Sequence, residues 1–391
     1  RTRRRRRSRS GWTELAAGRG GGAGDGGEPG RARRARNAPT ARALASLRLP
    51  ALLAAVALPA RAQTPAPSPA QQPAAAPTPT TPPTPHATPP APSFAFLTTP
   101  PAGLPPMPKP DGYTPTAAMF ALGERLFFDP VLSRDRTVSC ASCHPAATGF
   151  AHPDPLPKGI DGQLALRHAP ALWNRGYGTR QRWDGASASL EAFVLEPIAD
   201  ARAMGFGLEA AVERRRADPH YGPAFAAAFA APADAQGLQR ALATYVRGIA
   251  LGDAPYDRFL RGDADALTPQ QRHGQWIFES KGGCWQCHTP PLFTDEGFHN
   301  TGVGARDGAA APGRMAATGH ADDRGRFKTP TLRGLRLSAP YMHDGSQRTL
   351  ADVVAFYARG GEANAHLDPK MRKLDLSAAD RAALVAFLES L

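Results

Sequence analysis

Beyond residue 113 the apolar positions fall at helical rather than strand spacing. Ser377-Ala378-Ala379-Asp380 reads as a capping box, and Leu384, Phe387, Leu388 and Leu391 follow at i, i+3, i+4 and i+7, the apolar face of a terminal helix. Thr268-Pro269-Gln270-Gln271 supplies an N-cap, a first-turn proline and a capping glutamine ahead of another helix. Further helical patterns cover about 116–127, 208–217, 235–250 and 349–359, and no long alternating run marks a strand. The expectation is a mainly α protein with little sheet. One pattern repeats: Gly123-Glu124-Arg125-Leu126-Phe127 and Gly274-Gln275-Trp276-Ile277-Phe278 both read G-x-x-[LI]-F.

Charge and proline divide the chain before any chemistry is considered. The 391 residues carry 47 Lys+Arg against 34 Asp+Glu, but residues 1–62 hold 15 Arg and three acids, so the remainder is nearly neutral. A domain that gripped phosphates would carry its basic stripe on the folded part, so nucleic acid is not an expected partner. Leu49 to Ala60 is uncharged, follows Arg48 and leads into Ala60-Arg61-Ala62, the layout of a signal peptide cleaved near Ala62. Its twelve residues include Pro50 and Pro59, too short and broken to span a bilayer, and no later segment is apolar enough. Residues 1–62 are therefore read as a basic leader and signal peptide, residues 63–112 as a Pro/Ala/Thr-rich linker, and the mature protein as periplasmic.

The four cysteines stand in two copies of one pattern, Cys140-Ala141-Ser142-Cys143-His144 and Cys284-Trp285-Gln286-Cys287-His288. C-x-x-C-H is the attachment signature of c-type haem: two thiols one short turn apart add to the porphyrin vinyl groups, and the adjacent His faces the iron. Redox dithiols, or one zinc site made by all four cysteines, leave the repeated His unexplained. The reading is two covalently bound haem c groups in two cytochrome c-like domains, residues 113–265 and 266–391.

Residues 113–391 resemble the bacterial dihaem cytochrome c peroxidase and MauG family. The resemblance rests on Leu126-Phe127-Phe128-Asp129-Pro130, both C-x-x-C-H motifs, Trp183-Asp184-Gly185, Ser189-Leu190-Glu191, Pro197-Ile198, Phe327-Lys328-Thr329-Pro330-Thr331-Leu332-Arg333 and Ala339-Pro340-Tyr341-Met342-His343-Asp344-Gly345. It implies an oxidoreductase that meets hydrogen peroxide at the N-terminal haem and relays electrons through the C-terminal one. A small cytochrome c or copper protein would donate electrons, or a partner protein would be oxidised. It places the second iron's sixth ligand fourteen residues after His343, at Tyr357, with Met342 or Met315 as alternatives, and it puts Trp183 between the haems. The distal histidine of the classical members falls near Ile160, and the distal glutamine and glutamate fall on Phe193 and Ala203; of that trio only Pro197 remains. Glu196 and Asp200 are possible substitutes. The asparagine of an inter-haem calcium site is His168 here, and imidazole suits that hard ion poorly, which argues against Ca2+. Arg333 is placed at a haem propionate or in solvent. The missing distal groups support a rival function, a dihaem electron-transfer cytochrome without peroxidase activity.

Overall fold

The computed structural model describes residues 90–391, so the leader, the export signal at 49–62 and most of the linker lie outside the described residues. Eight helices carry the fold: α1 (Ala117–Phe128), α2 (Leu208–Arg216), α3 (Gly222–Phe229), α4 (Ala235–Arg247), α5 (Pro255–Leu260), α6 (Pro269–Glu279), α7 (Leu350–Ala358) and α8 (Ala378–Leu388). Among the described residues the only sheet is the antiparallel pair β1 (Phe298–His299) and β2 (Phe327–Lys328). The helices begin where side chains can satisfy their free N–H groups: Thr268 with Gln271, Thr349 with Asp352 and Ser377 with Asp380 form reciprocal capping boxes.

The repeated G-x-x-[LI]-F pattern has a packing cause. The two most extensive helix contacts are α1 on α4 and α6 on α8. At each crossing a glycine of the repeat meets backbone. A Cβ on Gly123 would sit 2.0 Å from the Ala241 carbonyl oxygen, and one on Gly274 would sit 1.9 Å from that of Ala383. Any larger residue would push the helices apart. The following Leu126-Phe127 and Ile277-Phe278 are buried in two separate hydrophobic clusters, one drawn from residues 122–249 and one from 256–391.

A buried ion pair ties the C-terminal segments together. Arg333 donates from Nη1 and Nη2 to the two carboxylate oxygens of Asp257 at 2.7 and 2.8 Å, and from Nε to the Pro291 carbonyl at 2.7 Å. The arginine is 1% exposed, which corrects the solvent-exposed alternative, and its guanidinium is paired with Asp257. Removing one partner of such a pair strands a buried charge. Arg333→Met is expected to cost about 3–5 kcal/mol in urea unfolding of the holoprotein, with Asp257→Leu in the same chain recovering most of it.

Candidate functional site

A continuous, largely apolar cavity of about 930 Å3 runs through the molecule, and every sequence-derived site residue lines it: Cys140, Cys143, His144, Trp183, Pro197, Cys284, Cys287, His288 and Tyr357. Cys140–Cys143 forms one helical turn capped by Ser139, and Cys284–Gln286 forms a 3-10 turn entered through Gly283. In each motif the chain then bends so that a backbone carbonyl meets the histidine. His144 Nδ1 donates to the Phe150 carbonyl at 2.9 Å, and His288 Nδ1 donates to the Phe293 carbonyl at 3.0 Å. Both phenylalanines sit in the left-handed region, at φ 59° and 54°.

A carbonyl only accepts, so each imidazole carries its proton on Nδ1 and keeps the Nε2 lone pair. Burial pushes both histidines down to about 4, so they are neutral at physiological pH. Burial also raises the thiols, Cys140 and Cys284 to about 12 and Cys143 to about 11. These are un-ionised sulfurs beside neutral imidazoles with one free nitrogen, in a space lined mainly by carbon, and this donor set fits haem c. It does not fit zinc. Among the described residues, the one group of three metal-donor side chains is Cys287, Asp295 and His299, which draws on a single cysteine. Both nitrogens of His299 are occupied there, by Asp295 at 2.9 Å and Asp368 at 2.7 Å.

Between the two C-x-x-C-H motifs the halves exchange backbone hydrogen bonds in matching fashion. His168 N–H donates to the His343 carbonyl at 2.9 Å, and Lys328 N–H donates to the Trp183 carbonyl at 2.7 Å. Arg167-His168-Ala169-Pro170 and Phe327-Lys328-Thr329-Pro330 thus play equivalent parts, as do the Trp183-Asp184-Gly185 and His343-Asp344-Gly345 turns. The Trp183 and His343 rings meet edge to face across this junction, with centroids 6.4 Å apart. Trp183 Nε1 donates to the His168 carbonyl at 2.8 Å, which fixes the indole plane. His343 lies 3.6 Å over the Phe327 ring, accepts on Nδ1 from Arg167 at 3.3 Å and donates from Nε2 to Val303.

The resemblance also assigned positions on the peroxide side. Phe193, Pro197 and Ala203 all line the cavity, so the two positions expected to hold an amide and an acid present carbon instead. Ile160 is a core residue outside the lining, its N–H bonded to the Ala203 carbonyl at 2.9 Å. Glu196 lines the cavity too: its carboxylate accepts from Ser187 Oγ at 2.5 Å and from Arg182 at 3.3 Å. Asp200 instead turns its Oδ1 back to the Arg202 N–H at 2.8 Å. At the other end, Tyr357 comes from α7 and lies beside Cys284 and Cys287; burial, then those two sulfurs, push its hydroxyl above the usual phenol range. Met342 lines the same cavity, whereas Met315 does not. His168 is buried and spends Nδ1 on the Pro155 carbonyl at 3.1 Å, so it offers no oxygen donor to a calcium ion.

Sequence reasoning missed the charged groups at the junction, Arg175, Glu296 and Lys328. Lys328 lies in a stretch that carried the resemblance, but its partner's position has no local signal. No helix among the described residues is long and apolar enough to cross a membrane.

The family model for di-haem cytochrome c peroxidase matches residues 117–265. The methylamine utilization protein MauG of Methylorubrum extorquens is 40% identical over 294 residues, covering 73% of this chain and 81% of that protein. The cytochrome-c peroxidase IdrP2 of Denitromonas iodatirespirans is 35% identical over 310 residues, covering 72% and 83%. Among solved structures, a MauG-like protein associated with microbial copper homeostasis superposes with a TM-score of 0.70 at 33% identity, covering 74% of this chain and 94% of that one. Replacing Cys284 and Cys287 by Ala is expected to remove one covalent porphyrin and leave the other, read as the mass of the denatured chain and as haem stain on a denaturing gel.

Proposed function

The chain belongs to the di-haem cytochrome c peroxidase and MauG family, and from that premise we propose that it is an exported dihaem c-type oxidoreductase with two unlike iron sites. Hydrogen peroxide is admitted on the His144 side, and electrons pass by the His288 side. One observation carries the reading: a single cavity joins the two neutral imidazoles of His144 and His288, with a tyrosine beside the second motif. When bound, haem supplies a redox-active iron. The remaining roles belong to this chain's residues.

Cys140 with Cys143, and Cys284 with Cys287, would tether the two porphyrins, and His144 and His288, oriented by the Phe150 and Phe293 carbonyls, would hold the irons through Nε2. Tyr357, which lines the cavity beside Cys284 and Cys287, would offer the second iron a hard oxygen donor that favours its oxidised state. Trp183 is the aromatic bridge at the junction, and Pro197 shapes the wall on the peroxide side. Reduction of peroxide to two waters takes two electrons and two protons. The electrons come from a small cytochrome c or copper protein, or from an oxidised side chain of a protein substrate; Tyr357 favours the protein substrate. Glu196, steadied by Ser187 and Arg182, is the carboxylate that moves a proton at this wall. The expected address is the periplasm, reached through the signal at residues 49–62. Phe193 and Ala203 favour a second reading, a dihaem electron carrier without peroxide chemistry.

Rapid mixing of the oxidised holoprotein with hydrogen peroxide separates the two. The enzyme reading expects a peroxide-dependent absorption change that Glu196→Gln slows and Ala203→Glu speeds, since a positioned acid–base group contributes on the order of 10²–10⁴-fold. A holoprotein inert to peroxide in all three forms is the carrier. Deleting residues 1–62 is expected to yield haem-free protein in the cytoplasm, and holoprotein there would contradict the export assignment.

A further inference from the structure

At the junction two cations share one carboxylate. Glu296 Oε1 accepts from Arg175 Nη1 at 3.0 Å and from Lys328 Nζ at 3.2 Å, while Oε2 accepts from the Thr179 N–H at 3.2 Å. Arg175 is further fixed by Nε to the Gln181 side chain at 3.0 Å and Nη2 to the Arg180 carbonyl at 2.9 Å. The Lys328 and Arg175 side chains are only 7% and 10% exposed, and both line the cavity, whereas Glu296 stands behind them. Two cationic side chains therefore share a single carboxylate in a nearly dry place, facing an apolar space. Burial, with Arg175 adding to it, brings Lys328 down to about 7. A buried charge without a counter-charge is unfavourable enough that such groups are found paired.

The other charges of the lining do not supply the missing anion. Of the lining carboxylates, Asp368 is bound to His299, Glu196 to Ser187 and Arg182, Asp184 lies beside Arg182, and Asp200 accepts from the Arg202 N–H; Asp257, outside the lining, is bound to Arg333. We propose that Arg175 and Lys328 form the seat of a haem propionate, whose carboxylate completes an alternating cluster with Glu296 across the junction of the two halves. The proposal rests on the haem reading above. The ligand class follows from the site: a carboxylate attached to an apolar body that fills the cavity satisfies both the charge and the carbon lining. Arg175 comes from the first half and Lys328 and Glu296 from the second, so this anion also joins the halves.

Removing a cation beside a haem favours its oxidised form, and removing an anion favours the reduced form. In spectroelectrochemical titration at fixed pH, Lys328→Met is expected to lower at least one haem midpoint potential and Glu296→Gln to raise it. Lys328→Arg, which keeps the charge, holds the parent value, and the propionate bending band in the resonance Raman spectrum shifts in Lys328→Met only. Variants that retain two haems with unchanged potentials and Raman bands overturn the proposal, as do shifts of the same sign for Lys328→Met and Glu296→Gln. A parent protein without covalent haem overturns the haem reading and this proposal with it, so the two failures are told apart by the haem content of the parent.

Discussion

Everything in this molecule turns on burying an imidazole while leaving exactly one of its nitrogens free. Water removal alone makes His144 and His288 neutral, but a neutral imidazole has two tautomers, and only an acceptor held against Nδ1 selects the one that can ligate through Nε2. The chain provides that acceptor twice by turning a phenylalanine into the left-handed region, which points its carbonyl back at the histidine. The strain is held in place because both rings are about 1% exposed, each locked into its own hydrophobic cluster. The ligand geometry and the two cores are thus one device.

The second requirement is that the two sites communicate. The halves are cross-linked by equivalent backbone hydrogen bonds, and the two rings brought edge to face, Trp183 and His343, occupy equivalent turns. The repeat has diverged where chemistry demands it. One half presents an indole whose N–H is fixed, the other an imidazole that burial and the neighbouring Arg167 charge keep neutral while its Nε2 donates to Val303. A repeated framework therefore carries unlike side chains at its junction.

The sequence made the local features legible because their causes are local. Capping boxes, the glycine at each helix crossing and the C-x-x-C-H spacing are all decided within a few residues, and helices α1, α6, α7 and α8 begin close to where the pattern put them. What it could not show depends on contacts between distant residues. Glu296 is 121 residues from Arg175, and Asp257 is 76 residues from Arg333, so neither pairing leaves a periodic or spacing signal. The Asp257 partner of Arg333 was for that reason absent from both alternatives that the sequence offered for it, a propionate and solvent. The family resemblance supplied Tyr357 by register, and its place beside Cys284 and Cys287 has a local cause in the Thr349 cap that starts α7.

The central claim is that the two irons are unlike, one open on its peroxide side and one closed by Tyr357. Electron paramagnetic resonance of the resting oxidised holoprotein tests it most directly. The account predicts one high-spin and one low-spin ferric signal of equal intensity, with the low-spin signal alone altered in Tyr357→Phe. Two low-spin signals, or a low-spin signal indifferent to that substitution, would contradict it.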